Sequence, residues 1–138
     1  MDNLQYMLDK QRLLQGRLGY DFDDMDTEER VAYIKEQTIH INQEMAEMLY
    51  ELPYFKPWKD YRGLTEIEKA AMISKARMEC IDMWHFFMNV MMALGFSSQD
   101  FTYMFTKKNE ENHRRQDEGY TADKSYKYQS VEEVMNHE

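Results

Sequence analysis

The sequence has few of the residues that punctuate or staple a chain: 2 Pro, 5 Gly and one cysteine, Cys80, in 138 residues. A lone thiol excludes an internal disulfide and any paired-cysteine metal site. With apolar neighbours, Cys80 reads as a buried, reduced core residue. No uncharged apolar run approaches the ~18 residues a membrane-spanning helix needs. The N-terminus, MDNLQYMLDKQRLLQ, is charged every few residues and has neither the apolar stretch nor the cleavage site of a signal peptide, so an intracellular protein is expected. Positive charge is scarce too: Lys+Arg 17 against Asp+Glu 26 leaves a net charge of -9. Such an excess repels phosphate backbones and anionic headgroups, which argues against nucleic-acid and membrane partners, and it attracts divalent cations.

What the chain does have is helical periodicity. A first helix is predicted from about Asn3 to Leu18, with Leu4, Leu8, Leu14 and Leu18 on one side. After the acid-rich linker YDFDDMD, Asp26 and Glu29 form a capping pair that opens a second helix. Val31, Ile34, Ile41, Met45 and Met48 form its apolar stripe, and Pro53 ends it after Leu52. The loop PYFKPWKDYRG leads to a second capping pair, Thr65 and Glu68, and a long third helix reaching Leu94 and Gly95. Ser97 and Asp100 open a fourth, which runs to about Asp117. No strand is predicted. The fold class is all-α, a four-helix antiparallel bundle over residues 1–119, with a polar C-terminal tail, 120–138, either disordered or folded over a surface.

The placement of the acids carries the chemistry. With about 100° per residue, Glu44, Glu47 and Glu51 share one edge of the second helix, beside Met45 and Met48. From Cys80 to Leu94 the third helix, CIDMWHFFMNVMMAL, reads as apolar all round and therefore buried, except at Asp82, His85 and Asn89; Glu79 extends these into one polar stripe. A buried carboxylate must be paired, hydrogen-bonded or bound to metal, and few cations are placed to pair with these. Two helices each presenting carboxylates three apart, Glu44 with Glu47 and Glu79 with Asp82, would form an all-oxygen site suited to Mg²⁺ or Mn²⁺. A structural ion-pair core is the alternative. On the fourth helix Lys108, Asn112 and Arg115 share a side within a stretch that also holds Lys107 and Arg114. Cations facing Lys and Arg suit a polyphosphate, and amide side chains can read a base edge. Trp58, in its loop, either covers a sugar or base or plugs the bundle end.

The motifs E44-M-A-E47, E79-C-I-D82 with M-W-H85-F86, and K108-N-E-E-N112-H-R-R115-Q-D-E-G119-Y120 resemble the dimeric all-α dUTPases. These belong to the MazG-like all-α NTP pyrophosphatases, many of them from bacteria and phages. The likeness extends from Gln11 to about Tyr120. It implies that Glu44, Glu47, Glu79 and Asp82 hold two or three Mg²⁺, with Mn²⁺ as a substitute. It also implies hydrolysis of dUTP, with dUDP as a further substrate, to dUMP, attack falling on the β-phosphate and Glu47 orienting or deprotonating the water. Lys108, Arg115 and Tyr120 would contact phosphate oxygens. Gln11 and Asn112 would bond the uracil, while Trp58, with Lys59 beside it, and His85 would line the nucleoside pocket. Lys124 and Lys127 of the tail are candidates to close over the substrate. A homodimer in the cytoplasm of a bacterium or a phage-infected cell is expected.

Three other readings compete. The chain could be a MazG-like pyrophosphatase for another nucleotide. It could be a di-iron bundle, given Asp82 and His85 three apart, although no histidine follows Glu44 or Glu47 at that spacing. Or it could be an acidic helical module that binds a protein partner through its charge.

Overall fold

A computed structural model describes residues 2–119, so the expectations for Tyr120, Lys124, Lys127 and the rest of the tail lie outside the described residues. The fold is all-α: α1 (Asn3–Arg17), α2 (Thr27–Glu51), α3 (Glu66–Ala93) and α4 (Ser98–Asp117), with no strand among the described residues. None of these helices is long and apolar enough to cross a membrane.

Each helix begins at a capping side chain, and for α2, α3 and α4 it is the one the sequence predicts. Asp2, Asp26, Thr65 and Ser97 accept from the backbone N–H three residues on, which satisfies a donor the first turn leaves free. At α3 the cap is reciprocal: Thr65 Oγ1 accepts from Glu68 N at 3.1 Å, and Thr65 N donates to Glu68 Oε2 at 2.9 Å. Leu52 stands in extended backbone (ψ 136°) ahead of Pro53, as a residue preceding proline must, and α2 stops there. Gly95, at φ 80°, turns the chain out of α3 in a left-handed conformation that side chains disfavour.

The chain divides at Gly95 into two units. In the first, α2 and α3 pack along their length as an antiparallel pair. Arg30 bonds Ala93, Gln37 bonds Asn89 and His40 stacks on Phe86, so rising numbers on one helix meet falling numbers on the other. α1 lies against α3 with Leu8, Gln11 and Gln15 buried. Arg30 fastens the acidic linker by donating to the carbonyls of Met25, Phe22 and Ala93. Phe22, 2 % exposed, fills the space against Tyr33. The linker's own acids, Asp21, Asp23 and Asp24, are solvated. In the second unit, α4 follows the Ser97 cap, with Phe96 packed edge-on against Phe101.

Three burial expectations are corrected. Cys80 is exposed. The stretch from Cys80 to Leu94 is not buried all round: Met88, Asn89, Met91, Met92 and Ala93 are buried, while Ile81, Phe87 and Leu94 are open. Burial changes along α3 rather than only around it: Cys80, Ile81 and Phe87 are open, while Met88, Met91 and Met92, which follow them on the same sides of the helix, are buried. On α1, Leu14 and Leu18 are exposed, because the packed face is the one bearing Leu8, Gln11 and Gln15.

Candidate active site

Glu44 on α2 faces Glu79 and Asp82 on α3, and one carboxylate oxygen from each lies within 4.8 Å of the others. The ExxD spacing puts Glu79 and Asp82 one turn apart on the same side of α3, and the antiparallel packing brings Glu44 opposite them. Glu44 is half-buried, and its Oε2 is fully enclosed without a hydrogen-bond partner among the described residues. Its carboxyl is pushed up to about 7: burial acts first, then hydrogen bonding to Glu79 and Glu47, then the charges of Glu47 and Asp82. Glu47 is exposed and stands outside the three-oxygen cluster, touching it through Glu44.

An orphaned oxygen among acids, with no basic side chain of the described residues paired to it, is the arrangement a hard divalent cation neutralises. The donor set is all carboxylate, so the residues fit Mg²⁺ or Mn²⁺ and do not suit a thiolate- or imidazole-seeking metal.

One turn along the same interface His40 and Phe86 stack, with ring centroids 5.0 Å apart. One turn further is a buried chain of amides. Gln11 Nε2 donates to Asn89 Oδ1 at 2.9 Å, and Asn89 Nδ2 donates to Gln37 Oε1 at 2.9 Å. All three residues are at most 5 % exposed. Beside them Tyr33 donates its hydroxyl to Gln15 Oε1, and burial, with the charges of Tyr20 and Glu36 assisting, raises its phenol above the ordinary value. Gln37 and His40 carry no sequence assignment, and Phe86 enters only within the M-W-H85-F86 motif. Their signal was available in the spacing, since Gln37 precedes Glu44 by seven residues, the same interval that separates Asp82 from Asn89.

The other candidates are placed as follows. Gln11 is buried at the end of the amide chain. His85 is half-buried on α3, its Nδ1 within 2.9 Å of the Ile81 carbonyl. Trp58 is 73 % exposed in the α2–α3 loop, so within its own unit it plugs nothing. Lys59 lines an open cavity of about 490 Å³ with Tyr54, Tyr61, Arg62 and Lys69. Lys108, Asn112 and Arg115 are on α4, in the second unit. There the basic stretch is interleaved with acids rather than bare. Arg114 pairs with Glu111 and Glu118, and Arg115 Nε lies 3.4 Å from Glu111. The Glu111 carboxyl is accordingly held below its ordinary value, chiefly by Arg114, with Arg115 and Lys108 adding. Asn112 accepts from Arg115 at 3.3 Å.

Carboxylates converging from two antiparallel helices, with buried amides farther along the same interface, fit a class of protein, the all-α nucleotide pyrophosphatases. Within that class, residues 3–101 match the family described as dUTPase, and the chain belongs to that family. The matched span holds Gln11, all four carboxylates and His85, and ends before Lys108. The chain is similar to the dCTP pyrophosphatase of Enterobacteria phage LZ5, 34 % identical over 144 residues, which cover 87 % of this chain and 84 % of the relative. It is also similar to the dCTP pyrophosphatase of Enterobacteria phage T4, 29 % identical over 143 residues, with 86 % and 83 % covered. No solved structure matches it significantly.

Proposed function

We propose that this nucleotide pyrophosphatase is Mg²⁺-dependent and hydrolyses a deoxypyrimidine triphosphate, dUTP or dCTP, to the monophosphate and pyrophosphate. The observation that carries the reading is the enclosed, unpartnered Glu44 Oε2 among three converging carboxylates. Uracil follows from the family, cytosine from the names of the two phage relatives.

Glu44, Glu79 and Asp82 would hold the metal, which when bound lowers the pKa of a coordinated water and draws phosphate oxygens into the groove. Glu47 is the base. It is exposed and adjoins the cluster through Glu44, a position from which it would orient a water or take its proton. His40 and Phe86 supply a flat wall partway along the groove. Gln11 ends a chain of amides that can bond a base edge. Lys108 and Arg115 are assigned to the phosphates, as the sequence motif suggests.

Ile73, Met78, Ile81 and Phe87 of α3 are apolar and exposed, so a homodimer through this part of α3 is part of the proposal. Equilibrium sedimentation tests that part: a chain that remains monomeric at micromolar concentration rejects it.

The functional test is pyrophosphate release from dUTP, dCTP, dTTP and UTP across an Mg²⁺ titration. Turnover of dUTP or dCTP that requires the metal supports the reading. Metal-independent turnover, or none with any nucleotide, rejects it.

A further inference from the structure

The polar positions between α2 and α3 are in line. Gln37, His40 and Glu44 share one face of α2, and Asp82, Phe86 and Asn89 share one face of α3. The antiparallel pairing matches them rung by rung, carboxylate to carboxylate, ring to ring and amide to amide. Seven residues of helix separate the carboxylate rung from the amide rung by about 10 Å. That distance is comparable to the reach of a nucleotide from its phosphates to the outer edge of a pyrimidine.

A side-chain amide has a donor end and an acceptor end. In the observed polarity Gln11 Nε2 and Asn89 Nδ2 are the donors inside the chain, and among the described residues no partner is formed by Gln11 Oε1 or Gln37 Nε2. If all three amides turn over together, both internal hydrogen bonds are kept, and Gln11 Nε2 becomes the outward atom. The internal bonding of the chain therefore has no preference between an outward acceptor and an outward donor. Cytosine and uracil differ in the same sense: the 4-position is an amino donor in one and a carbonyl acceptor in the other.

We propose that Gln11, Asn89 and Gln37 form an invertible reader of the pyrimidine 4-position. Asn89 and Gln37 are positioning residues that set which atom of Gln11 faces the base, so that one site takes both dCTP and dUTP. The inference rests on the groove binding a deoxypyrimidine triphosphate. It also accounts for relatives named for cytosine within a family named for uracil.

The test fixes the polarity. In Q37E the ionised carboxylate accepts from Asn89 Nδ2, which leaves Asn89 Oδ1 to accept from Gln11 and holds Gln11 Oε1 outward. N89D reaches the same outward acceptor by a different route, since the aspartate accepts directly from Gln11. The readout is the ratio of kcat/KM for dCTP to that for dUTP, with Mg²⁺ at alkaline pH and with circular dichroism confirming the fold; either variant suffices if the other does not fold. Wild type should use the two substrates within about tenfold of each other, and each folded variant should move the ratio toward dCTP by at least about tenfold. A purely structural role would lower both constants together. A shift below about tenfold, a shift toward dUTP, or a wild-type preference beyond about tenfold overturns the proposal. Wild type that releases no pyrophosphate from either nucleotide brings down the functional reading instead.

Discussion

Two polar clusters lie along the α2–α3 interface, two turns apart, the amide one joined by Gln11 of α1, and they solve burial in opposite ways. At the Gln11, Asn89 and Gln37 end, each amide that is enclosed finds an amide partner. At the Glu44, Glu79 and Asp82 end, acids face acids, one oxygen is enclosed with nothing among the described residues to bond, and a carboxyl is pushed up to about 7. Neutral amides can bond one another because each carries a donor and an acceptor; ionised carboxylates carry acceptors only, so the second cluster is left to be completed by something other than the described residues. Removing a member should therefore cost stability at the first cluster, whatever it does to base choice, and function without stability at the second.

The largest effect is expected at the carboxylates. Glu79→Gln should lower pyrophosphate release by about three orders of magnitude, on the scale of losing a preorganised group at developing charge. The same change should leave the metal-free protein as stable as wild type or more so, because it removes one of several like charges. Paired assays of turnover and metal-free urea unfolding check both halves. A variant that loses stability along with activity would show the cluster to be structural.

The amide end should respond the other way. Asn89→Leu keeps the volume but strands Gln11 Nε2 and Gln37 Oε1 in a buried setting, for an expected loss of about 2–4 kcal/mol by urea denaturation. Glu44→Gln, at the other rung, should cost nothing comparable. Equal losses at the two positions would erase the distinction.

Little of this contrast was legible in the sequence, although most of the fold was. Caps at Asp26, Thr65 and Ser97, Pro53 and Gly95 mark helix ends because their signals are local, and the observed boundaries fall within about two residues of those predicted. The carboxylate motifs were legible for the same reason, since ExxE and ExxD place both acids on one side of a helix whatever it packs against. Burial was harder, because it depends on how many neighbours a helix has. Periodicity describes a face but not whether that face is covered, which is why Cys80, Leu14 and Ile81 were expected inside and lie outside. The amide chain was harder still. It joins three helices across 78 and 52 residues of sequence, and a lone glutamine on an amphipathic helix resembles any surface glutamine until its partners are known.

A smaller effect should appear in the pH dependence of the metal-free protein. The unfolded Glu44 ionises near the ordinary 4.5, whereas the folded one holds its proton to about 7. As pH rises through that window the unfolded state gives up this proton first, so the contribution of Glu44 to stability falls from about pH 4.5 to about 7 and stays low above. Glu44→Gln has no such term. Its stability relative to wild type should therefore grow across the window and level off above it, as urea unfolding at a series of pH values would show. A constant difference would mean that the carboxyl is not strained by its neighbours.

The smallest expected effect serves as the control for the rest. Thr65 and Glu68 close the N-terminus of α3 with two reciprocal hydrogen bonds, and Glu79 lies 14 residues further along, about 21 Å at the helical rise. Thr65→Ala deletes the acceptor for Glu68 N and should cost about 1 kcal/mol. A frayed first turn at that distance leaves the packing of Glu79 against Glu44 in place. The stability gained on adding Mg²⁺, measured as the rise in unfolding midpoint, should thus be the same in Thr65→Ala as in wild type, and should vanish in Glu79→Gln. If weakening the cap also diminished the Mg²⁺ response, the carboxylate cluster would be coupled to the folding of α3 as a whole. The contrast between a self-satisfied rung and a rung completed by a ligand would then have to be given up.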